Sequence, residues 1–226
     1  MGTISLDKAA RLYWLGRYTE RVFTTIKIFL KCYDEMIDGD KMAYVEFCKR
    51  LCIPNIYNSK KEFKENYIFD EENPDSIYSN FLRALDNAMM LRKELSSQSL
   101  AYIEMAINKL VECKYSESLL MDLQSVIDYL FAFWASVDDY LLSEAARNIL
   151  KTGRYLERLD LYIRFSYNYS SISKEYCKLK NRIGKSKLKI NTEYLDKLNE
   201  KISKERYSEE DLRDAINYVE NLIVWG

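Results

Sequence analysis

Two glutamates and four arginines recur in this sequence in a pattern that could do chemistry. Gly16-Arg17-Tyr18-Thr19-Glu20-Arg21 returns as Gly153-Arg154-Tyr155-Leu156-Glu157-Arg158, identical at five of six positions and offset by 137 residues (153 − 16). Paired carboxylates such as Glu20 and Glu157 can act as general acid and base, with arginines stabilising developing negative charge. Arg17, Arg21, Arg154 and Arg158 can also cradle a phosphate or carboxylate, because a planar guanidinium donates in bidentate fashion. A structural role is equally concrete. Like charges four residues apart on a helix repel by a few tenths of a kcal/mol, so each arginine pair calls for an anion. Glu20 and Glu157 supply it if each pairs with an Arg of the other copy. Gly16 and Gly153 each cost a helix about 1 kcal/mol relative to Ala, which points to close packing by a neighbouring backbone or side chain.

The rest of the sequence offers little further chemistry. It contains no His and no Gly-rich phosphate loop of known pattern. Its five cysteines (Cys32, Cys48, Cys52, Cys113, Cys177) are odd in number and irregularly spaced, as expected of reduced thiols that mostly fill the core. Cys48 and Cys52 are expected to share a helix face, but two thiols without His or a second pair make a poor zinc site. No metal and no cofactor are expected.

Helices must position the repeated motif. Leu12, Leu15, Val22, Phe23, Ile26 and Leu30 recur at three- and four-residue steps, which predicts a helix from Ser5 to about Ile37, about 50 Å long. The second copy falls in a helix from Ser143 to about Ser166, where Ile149, Leu159 and Ile163 answer Leu12, Val22 and Ile26. Further helices are expected at Lys41 to Cys52, Lys60 to Phe69, Ser99 to Lys114, Ser116 to Val137 and Asn191 to Ile202. Asn73-Pro74 reads as the start of another, running to about Leu95. Ser208 with Asp211 three residues on resembles a capping box opening a last helix to Trp225. The expected fold is all-α: a single-domain bundle of long antiparallel helices with an internal pseudo-repeat.

Composition narrows the classes. The 48% hydrophobic share excludes a disordered chain, and 6 Gly with 2 Pro leave too few turn residues for a β-protein. With 34 basic and 35 acidic residues the net charge is −1, so no overall field draws the protein to nucleic acid or membrane. Lys174 to Lys189 holds seven basic residues against Glu175 alone; a solvated helix and loop is expected there, with anion binding the second reading. No stretch approaches the roughly 18–20 apolar residues of a membrane span, and Met1 to Lys8 lacks the apolar core of a signal peptide. A cytoplasmic location is therefore expected, with neither nucleic acid nor membrane as partner.

On these residues the chain resembles the alpha-E domain family, a bacterial all-helical family with a Glu-Arg motif. Leu12-Tyr13-Trp14-Leu15-Gly16-Arg17-Tyr18-Thr19-Glu20-Arg21 is similar to that family's opening pattern, and the second copy to its later Gly-Arg-Tyr-x-Glu-Arg element. Asn73-Pro74-Asp75-Ser76-Ile77 and Ala84 to Arg92 resemble its central segment; Asn87 and Arg92 match, whereas Leu85 and Met89 stand where the family usually has Arg. The resemblance spans about Ser5 to Phe165. It divides the single domain, 1–226, into a core at about 5–168 and a basic, helical extension at 170–226. It adds Asn87 and Arg92 to the candidate polar cluster of Arg17, Glu20, Arg21, Arg154, Glu157 and Arg158.

The resemblance also implies association, because such domains are typically encoded beside or fused to ATP-grasp ligases and transglutaminase-like proteins. The function expected is thus a non-catalytic accessory or binding protein acting with such a partner in peptide or protein modification. The alternative is an enzyme or small-anion-binding protein that uses the paired Glu-Arg clusters.

Overall fold

A computed structural model describes residues 4–204 and 206–225. Among them the helices are, in chain order, α1 Leu6–Asp38, α2 Ala43–Leu51, α3 Lys60–Phe69, α4 Ile77–Met90, α5 Ser97–Cys113, α6 Leu119–Tyr140, α7 Glu144–Arg164, α8 Tyr169–Ser186, α9 Thr192–Ile202 and α10 Glu209–Glu220. The fold is all-α, and among the described residues the only β pairing is an isolated antiparallel bridge between Ile190 and Ile223. Side-chain oxygens of Ser5, Ser59, Ser76, Ser96, Ser143, Asn168, Asn191 and Ser208 each accept from the backbone N–H three residues on. These caps satisfy donors that a helix start leaves open, at about 1 kcal/mol each. Ser208 and Asp211 form a complete capping box.

Helix ends depart from the sequence reading by three residues or more on α4, α6 and α10; α6 runs from Leu119 to Tyr140 rather than from Ser116 to Val137. Asn73 does not cap α4. Its Oδ1 accepts from the Asp75 N–H at 3.0 Å, closing a turn around Pro74, and Ser76 takes the cap. At the other end α4 stops at Met90 rather than Leu95, and the chain passes through successive turns to the Ser96 cap. α10 stops at Glu220, because the residues beyond it are tied to the α8–α9 connection: Asn191 N–H donates to Leu222 O and Val224 N–H to Lys189 O, both at 2.9 Å. Cys52 lies just past α2 in a left-handed conformation and is exposed while Cys48 is buried, so the two thiols do not share a face.

Neighbours joined by short connections pack antiparallel, as expected of a bundle. Ser136 to Ser99 (2.9 Å) and Lys109 to Asp122 (3.1 Å) fix α6 against α5 in this sense. Arg182 to Asn148 (3.1 Å) and Arg158 to Glu175 (3.7 Å) do the same for α8 against α7. α4 lies antiparallel on α1, with Lys8 paired to Glu94 and the Arg83 guanidinium 5.9 Å from the Tyr18 ring centre.

The central pair, α1 and α7, is different. Contacts advance in the same direction along both helices: Gly16 meets Gly153 in register, Arg21 reaches Glu157, and Ile28 and Cys32 share a cavity wall with Phe165. The two helices therefore run parallel, related by a pseudo-two-fold axis that lies along them. Five helices separate them in sequence, so no short loop imposes the antiparallel sense. Leu12, Leu15, Val22 and Ile26 of α1, with Ile149, Leu156, Leu159 and Ile163 of α7, are all buried in their common core.

Candidate functional site

Where α1 and α7 cross, backbone touches backbone. A methyl group built on Gly16 would stand 2.1 Å from Leu150 O, and one on Gly153 would stand 2.1 Å from Tyr13 O. Tyr13 and Leu150 are themselves 137 residues apart, so the two contacts are copies of one another. Only glycine permits this approach, and the approach sets the depth at which the next turn of each helix meets the other.

One turn further on, the charges exchange between copies. Glu157 on α7 accepts from Arg17 Nε at 2.6 Å and Arg21 Nε at 2.5 Å, both on α1. Glu20 on α1 accepts from Arg154 Nε at 3.0 Å, Arg158 Nε at 2.6 Å and Arg158 Nη2 at 2.8 Å, both on α7. Each arginine pair thus has a carboxylate from the opposite helix between its members. Glu20 is 0% and Glu157 1% exposed. Charges at that depth persist only when paired and hydrogen-bonded, and this geometry meets both conditions.

Electrostatics follow the geometry. Burial alone would push the Glu157 carboxyl up, but the Arg17 and Arg21 charges outweigh it and hold the group well below the usual carboxylate range. Burial would lower Arg17 and Arg158, yet their carboxylate partners raise both above the ordinary guanidinium value. Asp160, one turn beyond Glu157, is raised by burial and by the Glu157 charge, although it accepts from Arg164 Nε at 2.8 Å. Its Oδ1 has no hydrogen-bond partner.

The repeat motif brings Arg17, Glu20, Arg21, Arg154, Glu157 and Arg158 together. Asn87 and Arg92 lie elsewhere: Asn87 Nδ2 donates to the Arg83 carbonyl within α4 at 2.8 Å, and Arg92 is exposed in the turn after that helix. Leu85 is half-buried and Met89 exposed on α4.

Four further residues belong to the cluster. Thr24 donates its hydroxyl to Glu20 Oε1 at 2.7 Å, and Arg154 lies 4.1 Å from the Trp134 ring centre. Glu175 on α8 approaches Arg158 and is held by Lys178 at 2.6 Å; Asp160 is the fourth. Thr24 and Asp160 stand one turn beyond Glu20 and Glu157 on the same faces, and Glu175 is the lone acid of the basic stretch, so these three carried a sequence signal. Trp134 on α6 carried none.

Neither Glu20 nor Glu157 lines either of two surface cavities of the bundle. A cavity of about 220 Å³ opens between α1, α2 and the α7–α8 turn, lined by Ile28, Cys32, Phe47, Phe165 and Tyr167 with Asp40 at its rim. No residue of the Glu–Arg cluster lines it. Among the described residues no group of three or more His, Cys, Asp or Glu side chains could hold a metal ion. Nor is any helix there long and apolar enough to cross a membrane.

Such a site defines a class: an all-helical domain built on two copies of a Glu-Arg helix that lock each other. The chain belongs to the Alpha-E family, whose model, described as a predicted alpha-helical domain with a conserved ER motif, matches residues 8–206. Glu20-Arg21 and Glu157-Arg158 both lie within the matched residues. The match continues through α8 and α9, well past Phe165. Comparison with curated proteins and with solved structures finds no match.

Proposed function

We propose that this protein is a non-catalytic accessory protein, cytoplasmic and bacterial, that acts with an ATP-grasp peptide ligase or a transglutaminase-like partner in peptide or protein modification. One observation carries the non-catalytic half of this reading: Glu20 and Glu157 are buried and each is engaged by two arginines. A general acid or base must reach the proton it transfers. These carboxylates are taken up by arginines of the opposite helix, with Thr24 as a further donor to Glu20, so their role is to hold the two repeats in register and present the outer helices as a rigid surface. The partner class rests on the family resemblance.

The test is isolation of the native protein from its own cells, with mass spectrometry of co-purifying proteins in untreated and ATP-depleted extracts. Reproducible recovery of an ATP-grasp or transglutaminase-like protein is the expected result. Recovery of the protein alone, at a depth that detects known complexes from the same cells, would overturn the accessory role.

A second reading has one observation in its favour. Arg17, Arg21 and Arg154 each use only Nε in their bonds to the glutamates. Their terminal nitrogens are the groups through which the cluster would hold a small anion.

A further inference from the structure

Lys174, Lys180, Lys185, Lys187 and Lys189 are all exposed, and among the described residues none forms an ion pair. The acid nearest to them in sequence, Glu175, is buried and already engaged by Lys178 and Arg158. From 174 to 189 the chain carries seven basic residues and one acid, a charge of +6, so the remainder carries −7 to give the total of −1. The patch is therefore a local concentration of charge on a protein that is otherwise acidic.

Its layout is ordered. At about 100° per residue, Lys174, Lys178 and Lys185 fall on one edge of the exposed arc of α8, and Lys180 on the other, roughly 120–160° away. Between the edges lie Ser170, Ser173, Cys177, Asn181 and Gly184, and a methyl group added to Gly184 would meet nothing within 4 Å. Lys187 and Lys189 extend the patch past the helix end. There the backbone is pinned by the bonds from Asn191 to Leu222 and from Val224 to Lys189.

We infer that this face of α8 and the loop after it dock an acidic polypeptide segment. Three lysines on one edge of a strip of small side chains and Lys180 on the other leave room for a peptide backbone to lie flush, with its carboxylates reaching both edges, as charged flanks do when helices pair. A nucleic acid is a poorer fit. Tyr169, 37% exposed at the start of α8, is a single ring rather than a run on which successive bases could stack, and Arg182, the only arginine of the stretch, is turned to Asn148. An anionic membrane is poorer still, because apart from Tyr169 at the helix start the arc presents no large apolar side chain to insert. The assignment stands whether or not the partner proposed above is the correct one.

The probe is poly-L-glutamate, titrated against the full-length protein, with a single-stranded RNA oligonucleotide of matched charge and phosphatidylserine vesicles as comparisons. Poly-L-glutamate should bind, and should weaken roughly tenfold or more between about 50 and 200 mM salt. Combining Lys174→Gln, Lys180→Gln and Lys185→Gln should cost about tenfold in affinity at the lower salt. The same number of exposed lysines removed elsewhere, as Lys41→Gln, Lys61→Gln and Lys93→Gln, should cost less than about twofold. All six positions are exposed, so thermal unfolding of both variants should match the parent. Equal binding by the α8 variant and the parent would overturn the assignment. Tighter binding of RNA or vesicles than of poly-L-glutamate would overturn it too.

Discussion

Replacing Gly16 with alanine tests the packing and the charge lock together. The added methyl group would stand 2.1 Å from Leu150 O and 3.0 Å from Arg154 N, both backbone atoms that no side-chain rotation can clear. A non-bonded carbon needs about 3.5 Å, so α1 and α7 must part locally by more than about 1 Å. That displacement carries Arg17 Nε and Glu157 Oε2 from 2.6 Å to beyond hydrogen-bond range. Overpacking costs about 1–3 kcal/mol by itself, the weakened buried ion pairs add to it, and the better helix propensity of alanine returns about 1 kcal/mol. The net loss should be about 2 kcal/mol or more, which for a chain of this size lowers the midpoint by roughly 4–8 °C. Gly153→Ala should behave alike, because its methyl group would stand 2.1 Å from Tyr13 O. Gly184→Ala supplies the opposite sign: with open space around it, the helix should gain up to about 1 kcal/mol. Thermal unfolding followed by circular dichroism, with urea midpoints, reads all three. If Gly16→Ala and Gly153→Ala stabilise as Gly184→Ala does, the backbone contact and the register derived from it are wrong.

Two other outcomes follow from burial. A thiol reagent should modify Cys52 and Cys177 in the native protein, and reach Cys32, Cys48 and Cys113 only in denaturant, because burial pushes those thiols up to about 12, 11 and 11; rapid native modification of all five would contradict the core described. Acid should destabilise the fold. Glu157 is depressed in the folded state, so its contribution is complete above the unfolded carboxylate value near ~4.3 and is lost as pH falls toward the folded value. Asp160 is raised and works against this, since its protonation relieves a buried charge. Urea midpoints should be flat from about pH 7 to 5 and fall below that; a rise below about pH 4.5 would mean that Asp160 outweighs Glu157.

The elements that the sequence revealed are those whose signal is local. A three- and four-residue apolar period set α1 and α7 within a residue or two, and Ser208 with Asp211 announced its own cap. The hexapeptide repeat disclosed the six charged residues, because two like charges at helical spacing demand a counterion wherever they lie. The errors came from a competing local cap and from contacts distant in sequence. Asn73-Pro74 has the chemistry of a helix start, but Ser76 captured the cap three residues later, and α10 ended where its tail found partners at Lys189 and Asn191. The parallel sense of α1 and α7 leaves no trace in either segment alone. Family likeness joined Asn87 and Arg92 to the cluster, yet nothing in their own spacing required it.

The two halves of the lock are unequal, and the inequality separates a structural lock from an anion cradle. Glu20 accepts from three guanidinium nitrogens and the Thr24 hydroxyl, whereas Glu157 accepts only from the Nε atoms of Arg17 and Arg21. Arg21 is also the most open of the four, its side chain 29% exposed against 12% for Arg17 and 13% for Arg154 and Arg158. If the cluster only holds the helices together, the cost of substitution should follow burial. Glu157→Gln, which leaves two inward arginines facing a neutral amide, should cost about 3–5 kcal/mol. Arg17→Ala should cost nearly as much, and Arg21→Ala distinctly less, because water can take over part of its role. Inorganic phosphate should then leave the midpoint of every variant unmoved. A cradle gives a different pattern: phosphate stabilises the parent, and Arg21→Ala abolishes that stabilisation while barely changing the phosphate-free midpoint. A bound anion would be met first by the terminal nitrogens of Arg21, the most open of the four, while Arg17 keeps its bond to Glu157, so the Arg21 variant reads the cradle without dismantling the lock.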